Sequence, residues 1–198
     1  METQIEGTVP GRGTSELNGV NLDRLNETVN AIKATPSLAK FKFRAGNEWV
    51  NCAYNRIEIK PFFGGGKEYS DRDVRFKLEA DSPDILLGSD KATDPVEYVL
   101  AGLSSCLTTT LVYHGAAKGI AINNLHSTYE GDIDLHGFLG LSDKVKKGFQ
   151  EIRINFEVET DASEATLREL INFSPVYEMI SAGVPVKVNF KITKPMLS

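Results

Sequence analysis

The stretch from Asp94 to Lys118, DPVEYVLAGLSSCLTTTLVYHGAAK, constrains the fold more than any other part of the chain. Between Tyr98 and Ala117 it holds no aspartate, glutamate, lysine or arginine, and its one histidine is His114. A helix that is apolar all round is buried within protein or membrane, and this one is about as long as a membrane span requires. Ser104, Ser105, Thr108, Thr109, Thr110, two glycines and the lack of a second such segment favour the central helix of a soluble protein. Its start is written locally. Asp94 is placed to cap, Pro95 suits the first helical position, and Glu97 can reach back to the cap's backbone N–H as in a capping box.

On either side the pattern changes period. Leu22, Leu25, Val29 and Ile32 draw one apolar stripe along a helix that Asn21 or Asn18 can cap and Pro36 ends. Residues 1–38 therefore read as an N-terminal extension and 39–198 as the main domain. Lys40 to Lys60 predicts a hairpin turning at Gly46-Asn47, with Cys52 on its second strand. PFFGGGKEYSDRD reads as a loop, a flexible hairpin connection, because Pro61 and three consecutive glycines cannot cheaply sustain a ladder, and no helix-opening Lys-Ser/Thr follows as in a phosphate loop. Val74, Phe76, Leu78 and Ala80 alternate with Arg75, Lys77 and Glu79 in a half-buried strand. Beyond Gly119, the segments 125–135 and 152–158 alternate and are expected to pair. Residues 162–172 form a helix, Ser174-Pro175 opens another that stops at Gly183, and Val184 to Phe190 closes as a strand. Such segregated runs indicate an α+β domain with antiparallel sheets around the long buried helix.

The balance of charge narrows the partners. With a formal net charge of −5 over 198 residues, the chain lacks the basic face that a phosphate backbone requires. No basic region followed by an apolar run opens the sequence, so the expected compartment is the cytoplasm. Cys52 and Cys106 are too few for a disulfide framework and fit a reduced or redox-active thiol. Asp132, Asp134 and His136 alternate along a predicted strand, a set that reads as the wet face of a sheet in preference to a metal seat. No metal or cofactor is expected.

Cys106 is the candidate nucleophile. It shares its side of the helix with Val99, Gly102, Leu103, Thr110, Tyr113 and Ala117, and on periodicity alone the reading as a small buried hydrophobe outweighs that of a reactive thiol. A reactive thiol needs a nearby cation, a histidine or a helix N-terminus. Cys106 lies three turns inside its helix, His114 is about 12 Å along the axis, and Glu97 is nine residues away on the opposite side. Any activating group must come from elsewhere in the fold.

DPVEYVLAGLSSCLTTTL, the following G-I-x-I-x-x-L strand and the closing SPVYEMISAGVPVKVNF together resemble the OsmC/Ohr family of osmotically inducible and organic-hydroperoxide-resistance proteins, over about Phe41 to Ile192. The resemblance implies an intertwined homodimer whose long central helices are sandwiched by sheet. It implies a thiolate at Cys106 that attacks an organic or lipid hydroperoxide, tuned by a glutamate near the helix start and an arginine from the early strands. Glu97 and Arg56 are the candidates for those two roles. The sequence departs from the pattern where the family's second cysteine matches Ser174, and where its glutamate matches Val96, one step before Glu97. These departures point to a single peroxidatic cysteine reduced by an external thiol. The alternative is a non-enzymatic protein of the same fold that binds a hydrophobic small molecule in the dimer cleft. A cysteine hydrolase is disfavoured because Cys106 has no local base.

Overall fold

A computed structural model describes residues 15–71 and 76–195; the lead 1–14 and the expected strand positions Val74 and Arg75 lie outside the described residues. A short hairpin, β1 (Glu16–Leu17) and β2 (Val20–Asn21), opens into α1 (Leu22–Ala34). Asn21 is the cap, accepting the Arg24 N–H at 2.8 Å. Asn18 acts over a longer range: its side chain donates to the Ile120 carbonyl at 3.0 Å and accepts the Ile122 N–H at 2.8 Å, tying the arm to the body of the fold.

Three antiparallel strands follow in the order β3 (Ala45–Asn51), β4 (Tyr54–Ile59) and β7 (Phe76–Ala80). Between β4 and β7, where a loop is expected, stands the small paired hairpin β5 (Phe62–Gly64) and β6 (Lys67–Tyr69), because only Gly64 of the three glycines has to sit in the ladder. It turns through Gly65 and Gly66 at φ 56 and 81, the left-handed pair that a tight two-residue hairpin demands. The expected turn at Gly46-Asn47 is not there. Strand β3 runs straight through both residues, pairing them with Glu58 and Ile57, and the chain reverses at 51–54. Cys52, expected on a strand, sits in that turn at φ 50. The Trp49 indole N–H donates to the Cys52 carbonyl at 3.0 Å and closes the turn from the side.

The segment leading to the central helix is organised by Asp81, which is only 1% exposed. Its carboxylate accepts the N–H groups of Ser82 at 2.9 Å, Ser89 at 3.1 Å and Lys91 at 3.3 Å. The resulting fold-back needs Gly88, because a Cβ there would stand 1.8 Å from the Ser82 carbonyl oxygen. Burial by itself would push the Asp81 carboxyl up; the three backbone donors and nearby Lys91 outweigh it and hold the group below the usual aspartate range. A depressed folded value contributes stability above the unfolded value of about 3.9, and that contribution is lost as pH falls through the folded value. Asp81→Asn is therefore expected to lower the melting temperature by several degrees at pH 7, with the gap from wild type closing below about pH 4 in a pH series of thermal melts.

Helix α2 (Pro95–Ala117) begins as its sequence predicts, with both halves of the Asp94–Glu97 capping box formed. Beyond it, β8 (Ile122–Ile133), β9 (Phe149–Thr160) and β10 (Val186–Thr193) make the second sheet, in the order β10-β9-β8. The short α3 (Leu135–Phe138) lies between β8 and β9, while α4 (Glu164–Ile171) and α5 (Pro175–Ser181) connect β9 to β10. Strands β8 and β9 pair antiparallel as expected. Strand β10 runs parallel to β9, because the two helices between them carry the chain back to the starting end of the sheet. The class is α+β, with this one parallel pair inside otherwise antiparallel sheets.

The core lies between this sheet and the helices. Leu103, Leu107 and Leu111, one turn apart on α2, join Ile152, Ile154, Phe156 and Val158 of β9 and Leu167, Leu170 and Ile171 of α4 in one buried cluster. The opposite face of α2 is different. Val96, Val99 and Tyr113 are exposed together with Gly102, Ser105 and Thr109, so the chain covers only one stripe of a helix that the sequence marks as buried all round. By length and composition alone α2 would also serve as a membrane span.

Candidate functional site

Cys106 is carried by the middle of α2, where the helix passes the start of α5. Ser174 caps α5, and the sequence makes it do so: Pro175 occupies the first helical position and biases its predecessor to extended backbone. Fully buried, Ser174 uses both faces of its hydroxyl. The Oγ accepts the Tyr177 N–H at 3.2 Å, and its own O–H donates to Cys106 Sγ at 3.1 Å. The two residues are 68 apart in the chain.

The sulfur is half-buried and lines an open groove of about 500 Å³ with Gly102, Thr109, Tyr113, Phe173 and Val176 among its walls. His114 shares this groove, and its imidazole stacks on the Phe173 ring with centroids 4.4 Å apart. Burial, helped by the charge on Lys118, pushes His114 below the ordinary histidine range, so it is a neutral aromatic wall near pH 7. The arrangement offers a positioned sulfur, a hydroxyl donor and a mainly apolar groove.

The other two predicted site residues stand elsewhere in the fold. The Glu97 carboxylate accepts the Asp94 N–H at 2.9 Å in the capping box and lines a separate cavity of about 680 Å³ with Cys52, Leu86 and Phe138. Arg56, on β4, has its Nε 3.7 Å from Glu79 and faces a third cavity with Glu48 and Lys77. Neither lines the groove of Cys106. The two thiols are likewise apart, since Cys52 donates its S–H to the Leu87 carbonyl at 3.1 Å on the rim of the Glu97 cavity.

The expected strand face of Asp132, Asp134 and His136 is broken by the end of β8 at Ile133. Asp132 is gripped by Arg153, whose Nη2 lies 2.9 Å from Oδ1, while Asp134 caps α3 and accepts the His136 N–H at 2.9 Å. Among the described residues no group of three or more His, Cys, Asp or Glu side chains stands placed to hold a metal. Sequence reasoning missed Asp81, a lone acid after a strand, and it missed the long-range role of Asn18. In both, the partners are backbone groups that leave no mark on residue type.

Against known proteins, the family model for OsmC-like proteins matches residues 88–189, just over half of the chain. Comparison with curated protein sequences finds no match. Among solved structures, an OsmC-like protein from Mycoplasma pneumoniae is 21% identical and superposes with a TM-score of 0.55, over 77% of this chain and 96% of that one. An organic hydroperoxide resistance protein OsmC from Legionella pneumophila is 17% identical with a TM-score of 0.52, over 76% of this chain and 96% of its own. The matched segment contains α2 with Cys106 and all of the β8–β10 sheet up to Asn189, and by that match the chain belongs to the OsmC/Ohr family.

Proposed function

We propose that this protein reduces organic or lipid-derived hydroperoxides through Cys106 as a single peroxidatic cysteine, with an external thiol as reductant, and that it works in the cytoplasm as an intertwined homodimer. One observation carries the reading: the Cys106 sulfur opens onto a mainly apolar groove while a buried hydroxyl holds it from behind. Such a groove suits an organic peroxide, whose alkyl or aryl tail leaves water as the peroxide oxygen meets the sulfur. Family membership and the hydroperoxide-resistance protein among the structural neighbours support the same chemistry.

The dimer is supported by the uncovered face of α2 and by Trp49 and Leu78, which β3 and β7 leave exposed. In this reading a second protomer covers those faces, and Glu97 and Arg56 act at Cys106 across that interface. Residues 1–38 are an appendage held through Asn18. Intact-mass analysis after a limiting pulse of cumene hydroperoxide tests the central step, with the gain of one oxygen at Cys106 as the expected result. If wild type and Cys106→Ser stay equally unmodified, the peroxidase reading falls. The binding reading then takes its place, with the apolar cavity walled by Leu86, Val96, Ile133 and Phe138 as the site for a hydrophobic molecule.

A further inference from the structure

We infer that Ser174 makes Cys106 a one-thiol centre: its hydroxyl aims the sulfur into the groove, and its side chain fills the place from which a second thiol would close a disulfide. This rests on the reading of Cys106 as the reacting group and adds a positioning residue and a constraint on the partner.

The geometry is specific. A serine hydroxyl has one hydrogen to donate. In Ser174 a lone pair is engaged by the Tyr177 N–H, which turns that hydrogen toward Cys106 Sγ. The backbone cannot drift, because the Ser174 N–H is bonded to the Ile171 carbonyl at 3.0 Å and Pro175 follows. A sulfur in place of Oγ would start near 3 Å from Cys106 Sγ, and a side-chain adjustment of about 1 Å reaches the S–S distance of about 2.04 Å. The chain's only other thiol, Cys52, lines a different cavity and is bonded to the Leu87 carbonyl. Within its own chain an oxidised Cys106 therefore has no second thiol in its groove, and the test below asks the same of Cys52 across the dimer.

The reaction closes without one. The Cys106 thiolate attacks the terminal oxygen of ROOH and the O–O bond breaks. Sulfur is oxidised to the sulfenic acid, and the departing alkoxide takes a proton from water to become the alcohol. An external thiol, R′SH, then displaces the sulfenic hydroxyl as water and forms a mixed disulfide with Cys106. A second R′SH attacks that disulfide, releasing R′SSR′ and the free Cys106 thiol. Ser174 takes no part in the electron balance; it holds the sulfur's position throughout.

The test uses full-length protein carrying Ser174→Ala, Ser174→Thr or Ser174→Cys, with a thermal melt of each variant as the folding control. In a Cys52→Ala background, Ser174→Ala is expected to slow iodoacetamide alkylation of Cys106 about tenfold, the worth of one hydrogen bond, and Ser174→Thr to restore the rate to within about twofold. Diamide, which joins neighbouring thiols without any peroxide, is expected to close a Cys106–residue 174 disulfide in Ser174→Cys. Wild type treated with cumene hydroperoxide and then 2-mercaptoethanol is expected to carry the mixed disulfide at Cys106. Unchanged alkylation in Ser174→Ala overturns the positioning role. Failure of diamide to close the disulfide in Ser174→Cys, or a Cys52–Cys106 disulfide in peroxide-treated wild type, overturns the one-thiol assignment. If alkylation and diamide behave as expected while cumene hydroperoxide leaves wild type untouched, the hydroperoxide reading falls and the role of Ser174 stands.

Discussion

Replacing Cys106 with serine is expected to reduce thiol-dependent consumption of cumene hydroperoxide to the uncatalysed rate, while the melting temperature stays within a few degrees of wild type. A serine hydroxyl is far less nucleophilic than a cysteine thiolate, so the step that breaks the O–O bond loses its attacking atom. The fold tolerates the change, because the sulfur is only half-buried on the groove wall and Ser174 can donate to an oxygen in its place. A coupled assay of peroxide loss with a monothiol and with a dithiol measures the effect. Cys52→Ala is the companion variant and is expected to keep wild-type turnover, since that thiol sits in an exposed hairpin turn on another cavity. Residual activity in Cys106→Ser above a tenth of wild type would move the chemistry to another group.

The largest loss of stability is expected from Leu107→Ala. Leu107 is 0% exposed and stands between Leu103 and Leu111 on the stripe of α2 that meets Ile152, Ile154 and Phe156. Truncating a leucine in such a cluster removes transfer free energy and leaves a cavity that neighbours on three elements cannot fill, costing about 2–5 kcal/mol. For a chain of this size that lowers the melting temperature by roughly 5–15 °C. Domains are stable by only about 5–15 kcal/mol, so expression of the variant is expected to fall as well. A melt within two degrees of wild type would contradict the packing described for α2.

The start and course of α2 were legible because their causes are local. The Asp94-Pro95-x-Glu97 capping box closes within four residues, and the absence of charge from Tyr98 to Ala117 states burial without naming what does the burying. The alternation in β8 and β9, and the cap at Asn21, are equally short-range. The β3–β4 turn falls away from its expected place for the same reason. Gly46-Asn47 has turn composition, but Gly46 lies in a strand with the Lys60 side chain passing 3.0 Å from where its Cβ would be. The true turn puts a cysteine at positive φ under the Trp49 indole, and no residue preference announces that.

Residue types and their spacing thus determined the order of the main elements, the α+β class, the central helix and the single candidate nucleophile, though not the β1–β2 and β5–β6 hairpins or α3. Tertiary structure decided the direction of β10 beside β9, the engagement of Asp81 by three backbone N–H groups and the placing of Arg56 and Glu97 away from the groove of Cys106. It also decided that the buried Ser174 hydroxyl meets the Cys106 sulfur across 68 residues. The division has one physical reason. Periodicity and capping act between residues a few positions apart, whereas each of the decisive contacts joins segments that meet only once the core between α2, β9 and α4 or the sheet of β3, β4 and β7 has formed.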